Sequence, residues 1–404
     1  MSDASLRLLR HTPFQLFLGG RALASFASQM VGVIVAWQLY ELTDSAFLLG
    51  MIGLVQFVPT ALLIFIAGHA ADRYDRKRVV QLCQFGEALG AVFLAWGSIG
   101  GWLTVEEMFA VVLVFGIGTA FSSPASAALM TGVSPEGMRQ KATALATGIF
   151  ELAMIAGPAL GGLAYGISPG AAYIAIAVLW ILGGFLLGAI QLERPVTAER
   201  PAPTPGAIFA GWTFVRRNPV ILGAISLDLF TVLLGGATTL LPIYARDILN
   251  TDAWGMGVLR AAPSVGALLM TAVLSRFPIQ RKTGLRLFQA IIVYGLATLV
   301  FSVSRDMWLS LVALAIAGAA DTVSMVIRIA LVQLATPDEM RGRVGAVNFL
   351  FVNASFQLGG FESGVTAALF GAVPSVLIGG AGTIAVALLW MKLFPPLRDL
   401  ERLE

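Results

Sequence analysis

Apolar stretches of 18 or more residues recur from one end of this sequence to the other. Each is long enough to cross about 30 Å of hydrocarbon as a helix. Within lipid a segment must satisfy its own backbone, so helices are expected, and the weak alternation of a barrel strand is absent. With 57% hydrophobic and 12% charged residues, the composition excludes an ordinary soluble chain of two or three domains. The expectation is an all-α polytopic membrane protein. Cys83 is the single cysteine and has no partner for an intrachain disulfide. Arg7, Arg10 and His11 precede a long apolar run that resembles a signal peptide, but the run is too long and more follow, so it reads as a retained first helix.

Twelve spans are predicted, at residues 14–40, 46–66, 79–99, 108–130, 142–165, 171–192, 220–245, 254–274, 285–303, 307–334, 344–370 and 376–394. The Pro-rich stretch "ERPVTAERPAPTPG" separates the sixth from the seventh, and "AIFAGWTFVRRNP" after it reads as an amphipathic interfacial helix. This divides the chain into an N-terminal six-helix bundle (1–192), a cytoplasmic linker (193–218) and a C-terminal six-helix bundle (219–404). With the N-terminus inside, the inner segments carry about 21 of the 26 basic residues, and the outer loops carry only Arg246 and Arg305. Both termini are therefore predicted to be cytoplasmic.

The halves resemble one another. Tyr40, Gly53 and Pro59 match Tyr244, Gly257 and Pro263 at one offset. Gly116, Gly157 and Gly162 match Gly318, Gly359 and Gly364 at nearly the same one, as does "SPEGMRQKATA" with "TPDEMRGRVGA". A duplicated bundle is the physical reading.

"ADRYDRKRVV" puts six charges into seven residues between spans two and three. Four bases there pin the loop to the cytoplasm. Gly68, the Asp72–Arg73 pair, and Arg76 with Lys77 also carry a specific spacing, which resembles the signature loop of the major facilitator superfamily; Asp75 stands where that family often has glycine. The resemblance implies that Asp72 latches the cytoplasmic ends of the halves against the start of the eleventh helix, whose positive dipole end favours an anion. Arg341 and Arg343 of "MRGRV" would supply cations there. Plain topology anchoring is the alternative. The corresponding second-half loop, "SRFPIQRKTG", lacks the acid. "MIAGPALGG", with Gly157, Pro158, Gly161 and Gly162, resembles the glycine motif of the family's exporters, although small-residue packing explains the glycines as well. Over most of its length the chain is similar to the bacterial enterobactin-exporter branch and relatives of macrolide efflux pumps.

Ionisable groups are costly inside a membrane. Arg21, Glu87, Glu151, Asp228, Arg260, Asp321, Arg328 and Glu362 fall within spans. Arg21, Ser25 and Gln29 share a face of span one; Asp321, Ser324 and Arg328 share one on span ten, with the acid and base two turns apart; Asn348, Ser355 and Glu362 repeat every seven residues on span eleven. Such stripes suit a water-filled cavity. For each charge the alternative is an interhelical ion pair; Arg260 and Arg328 are close enough to helix ends to snorkel. Glu151 would gate or pack, and Glu87 reads as structural. Five acids face three bases, so pairing every base leaves about two carboxylates in surplus. Desolvation favours the neutral form of an acid, which is the basis for expecting proton coupling. Against it, Val112 stands near the place of the family's proton-coupling arginine.

The expected function is secondary active export by alternating access. Arg21, Arg260 and Arg328 would hold an acidic or catecholate solute, and Asp228, Asp321 and Glu362 would couple protons. No enzyme activity, cofactor or metal is expected: there is no phosphate-binding loop, and His11 and His69 sit in no ligand cluster. The partners are the bilayer and a small solute, not nucleic acid. The chain is expected to act as a monomer in the bacterial cytoplasmic membrane. A broad multidrug pump, an uptake carrier, a lipid flippase and a scaffold remain alternatives.

Overall fold

The computed structural model describes residue 8 and residues 11–135, 137–191, 205–279 and 281–401, although some side chains within these helices lie outside the description. Regular structure among them is helical. The spans are α1 (Thr12–Thr43), α2 (Ala46–Arg73), α3 (Arg76–Gly100), α4 (Val105–Val133), α5 (Arg139–Ile167) and α6 (Pro169–Gly188). After the linker helix Pro205–Arg217 come α7 (Pro219–Leu234), α8 (Ala253–Arg276), α9 (Thr283–Val303), α10 (Met307–Leu334), α11 (Asp338–Phe370) and α12 (Ala372–Leu393).

Local chemistry sets many of the boundaries. Thr104 and Glu107 form a reciprocal capping box at the start of α4. Ser168 caps α6 and Asn218 caps α7, each followed by Pro at the first helical position, where a missing N–H costs nothing. Asp75 caps α3 by accepting from the Lys77 backbone N–H at 3.0 Å. This gives a physical reason for an acid at position 75.

One finding differs from the sequence expectation. Span seven is not one continuous helix: α7 stops at Leu234, where Gly235 and Gly236 open a 3-10 turn (Gly236–Leu240), followed by Leu241–Ile243 and a π-turn at Tyr244–Ile248. The carbonyl freed at Gly235 accepts a hydrogen bond from the Tyr294 hydroxyl at 3.2 Å. Eleven helical segments among the described residues are long and apolar enough to cross a membrane. At 33 residues α11 extends about 50 Å, so its length is sufficient to span as well.

The described residues form two compact units. The first holds 8–42, 55–191 and 252–257, and the second holds 43–54, 205–251 and 258–401. One core cluster of the first unit joins Phe14, Phe17, Leu129, Val133 and Leu187; one of the second joins Leu227, Leu287, Phe288, Ile291 and Ile327. The glycines matched between the halves occupy equivalent crossings. A Cβ at Gly116 would lie 2.5 Å from the Gln56 carbonyl oxygen, and Gly318 meets the Pro263 carbonyl in the same way. Gly157 packs on Gln29 of α1 while Gly359 packs on the Val232 carbonyl of α7. Gly162 meets Ala253 at the start of α8, and Gly364 meets Gly50 near the start of α2. Close backbone approach at paired positions is what a duplicated bundle demands.

Candidate functional site

In the second unit, α7 carries Asp228 and α10 carries both Asp321 and Arg328. The Arg328 guanidinium forms an ion pair with Asp228, and its Nη2 lies 3.8 Å from Asp321 Oδ1. Its Nε donates to the Ser324 carbonyl at 3.3 Å. The Arg328 and Asp228 side chains are 12% and 11% exposed, whereas that of Asp321 is 53% exposed. One guanidinium thus serves two carboxylates, one enclosed and one open. Arg328 and Asp321 share a helix face as expected, but the nearer partner of Arg328 comes from the neighbouring helix. Tyr294 of α9 packs nearby, holding the broken end of α7 through Gly235.

Arg260 on α8 is half-buried and has no hydrogen-bond or ion-pair partner among the described residues. On α11, Glu362 accepts from Thr366 Oγ1 at 2.8 Å and from Ser363 Oγ at 3.4 Å, with no cation against it among the described residues. Asn348 is half-buried, while Ser355 is buried and donates to the Phe351 carbonyl at 2.7 Å. The middle member of that stripe therefore bonds its own helix.

In the first unit, Arg21 donates from Nη1 to Ser126 Oγ of α4 at 3.2 Å, and its buried Nε has no partner among the described residues. Gln29 packs against Gly157, and Gly161 lies against Met30, so the glycine motif draws α5 onto the same helix that presents Arg21. Pro158 is buried within α5, and its carbonyl lies against Gly257. Glu151 is half-buried, without a partner among the described residues. Not every intramembrane base is paired among the described residues. Among the described residues a single intramembrane guanidinium is paired, leaving two bases as well as three acids without counter-charges.

The sequence reading did not identify a second polar cluster at the far end of α1. Trp37 Nε1 and the Tyr165 hydroxyl both donate to the Glu41 carboxylate, while Gln38 accepts from Tyr173 at 2.7 Å and donates to Ser98 at 2.9 Å. The signal available was the polar pair Gln38 and Glu41 at the end of an apolar run.

Of the loop between α2 and α3, the Asp72 side chain lies outside the described residues. Lys77 Nζ donates to the Gly188 and Ile190 carbonyls at 3.3 and 2.9 Å, capping the end of α6. Arg76 is buried, Arg73 is exposed, and Gly68 has open space where a side chain would stand. In the second unit Arg341 and Arg343 are exposed at the start of α11, and the Arg343 backbone carbonyl touches Gly211 of the linker helix.

The Major Facilitator Superfamily profile matches residues 17–360. Enterobactin exporter EntS of Salmonella choleraesuis (strain SC-B67) is 24% identical over 404 residues, covering 98% of this chain and 95% of that protein. The MFS-type transporter YhjO of Bacillus subtilis (strain 168) is 25% identical over 365 residues, 89% and 87% of the two chains. A Na(+), Li(+), K(+)/H(+) antiporter of Planococcus maritimus is 24% identical over 324 residues, 73% and 76%. Among solved structures, a bacterial homolog of the human lysosomal transporter Spinster superposes with a TM-score of 0.74 at 14% identity, covering 98% of this chain and 97% of that one. The nucleoside transporter NupG superposes with a TM-score of 0.71 at 15% identity, over 94% and 100%. At such identities the structural likeness concerns the fold.

Proposed function

Because the chain belongs to the major facilitator superfamily, we propose that it is a secondary active exporter that moves an acidic or catecholate small molecule by alternating access, driven by a proton gradient. The observation that carries this reading is the Asp228–Arg328–Asp321 triad. Fully ionised, it has one negative charge in excess. A proton arriving at the open carboxylate, Asp321, neutralises the excess without breaking the enclosed Arg328–Asp228 pair. Such a triad can load and unload a proton at a modest cost in structure.

Arg328 is committed to carboxylates, so solute recognition falls to Arg21 and Arg260. A guanidinium with unused donors suits a planar carboxylate or catecholate, whose charge would replace the missing partner. The enterobactin exporters among the relatives motivate the substrate class. A second reading, monovalent cation–proton antiport, draws on the Planococcus maritimus relative and on Glu362, which has no cation against it among the described residues.

Uptake into inside-out vesicles tests both readings. A catecholate siderophore, a cationic dye and sodium are supplied separately, with and without a pH gradient. Siderophore uptake that needs the gradient and is lost in Arg21→Gln and Asp321→Asn, each still inserted, is the expected result. Normal uptake by both variants removes this site, sodium movement alone selects the antiporter, and dye movement alone selects a drug pump.

A further inference from the structure

The seam between α3, α4 and α6 of the first unit holds a carboxyl group that the triad mechanism does not use. Glu87 is only 7% exposed, near the middle of α3. A Cβ at Gly118 of α4 would lie 2.6 Å from Glu87 Oε1 and 3.0 Å from its Cγ, so glycine at 118 makes the room in which the carboxyl sits. The helices packed against it offer no counter-charge. Past Glu107 at its far end, α4 contains no charged residue, and α6 contains none at all. Arg21 of α1 bonds Ser126, eight residues along α4 from Gly118 and thus about 12 Å away along the axis. The nearest titratable group on α3 itself is Cys83, one turn away, which supplies no positive charge.

Two further polar groups in the same seam lack partners among the described residues. Gln84 Oε1, an acceptor, and Trp180 Nε1, a donor, are both buried and unsatisfied, on residues 3% and 2% exposed. Gln84 and Glu87 are three residues apart and share a face of α3. Gly183 and Gly184 of α6 lie against Gln84 and Phe85, which sets the antiparallel register and brings Trp180 to the depth of Glu87. The Trp180 ring also packs 5.3 Å from that of Phe115, one turn from Gly118. Buried donors and acceptors are rarely left unmade, so an unused donor and acceptor beside an uncompensated acid call for an explanation.

We propose that Glu87 is a proton-binding site of the first unit, with Gln84 and Trp180 as alternate partners of its two forms. The neutral acid has an O–H to donate to Gln84 Oε1. The carboxylate has none and accepts from the Trp180 indole N–H instead. Loading and unloading a proton therefore exchanges a bond within α3 for one between α3 and α6. The carboxylate form, without a cation in its seam, depends on the indole for its stabilisation. Gly183 packs on Gly20 and Gly184 on Phe85, so the switch acts on a helix that also touches α1, next to Arg21. This inference does not require the solute assignment above, because a protein that moved no catecholate would still bind this proton.

Infrared difference spectroscopy during a pH titration, on the full chain in lipid nanodiscs, reads the site directly. A carbonyl-stretch band of a neutral carboxyl group is expected to bleach as pH rises, and to be missing in Glu87→Gln, whose amide fills the same volume. In Trp180→Phe the same band is expected to persist to higher pH, because the carboxylate has lost its donor. Mass-spectrometric mapping of a hydrophobic carbodiimide adduct on Glu87, weaker at alkaline pH, provides a second readout in the unmodified sequence. Identical titration spectra for the native protein and Glu87→Gln, or a carbodiimide adduct unaffected by pH, overturn the proposal. An unchanged titration in Trp180→Phe overturns the part assigned to the indole.

Discussion

Removing Arg328 should damage the second unit more than removing either acid beside it. Arg328→Gln leaves Asp228, 11% exposed at its side chain, and Asp321 both without a cation. Breaking a buried pair from one side costs about 3–5 kcal/mol, because the remaining charge is uncompensated. Asp228→Asn is milder: the guanidinium still has Asp321 at 3.8 Å and the Ser324 carbonyl at 3.3 Å, and what it loses is one charged hydrogen bond. Such a bond is worth about 1.5–3 kcal/mol. The double variant removes the charge and its enclosed partner together, so its cost should fall short of the sum by about 2 kcal/mol or more. Helical circular dichroism provides the assay, because the triad lies in the second unit and the single cysteine, Cys83, in the first. Loss of the helical signal is followed as the detergent-solubilised protein is heated. For a unit of this size each kcal/mol moves the midpoint by roughly 2–4 °C. Arg328→Gln is thus expected to lower it by about 10 °C, Asp228→Asn by about half as much, and the double variant by less than the two together. Equal losses from the two single variants, or simple additivity in the double, would refute the idea of one guanidinium shared by two acids.

Two further outcomes test the packing and the caps. Gly116→Ala places a Cβ 2.5 Å from the Gln56 carbonyl oxygen and should cost about 1–3 kcal/mol through backbone displacement. Gly148→Ala in α5 meets nothing within 4 Å and should be neutral or stabilising by up to about 1 kcal/mol; a reversal of that order in thermal midpoint contradicts the crossing described for α2 and α4. Asp75→Ala removes the acceptor for the Lys77 N–H and should cost about 1 kcal/mol, while Asp75→Asn retains most of it. A thiol-reactive fluorophore that reports exposure of the partly buried Cys83 on heating suits this pair, because Cys83 lies on the helix that Asp75 caps.

The helical class, the places of most spans and the duplication were legible in the residues alone. The penalty for an unpaired backbone in lipid acts on each segment separately, so apolar length identifies a helix whatever it packs against. The matched glycines carried further, because a missing side chain at equivalent positions signals a close crossing before its partner is known. The break in span seven was written in Gly235, Gly236 and Pro242, but an apolar count runs straight across such a break. Choices of partner needed the tertiary structure. That Arg328 joins Asp228, that Lys77 caps α6, and that Glu87 sits against Gly118 of α4 follow from helix rotation and crossing depth. Hydrophobicity belongs to one residue and sums along the chain, whereas pairing depends on angstrom-scale distances between helices that no single stretch of sequence contains.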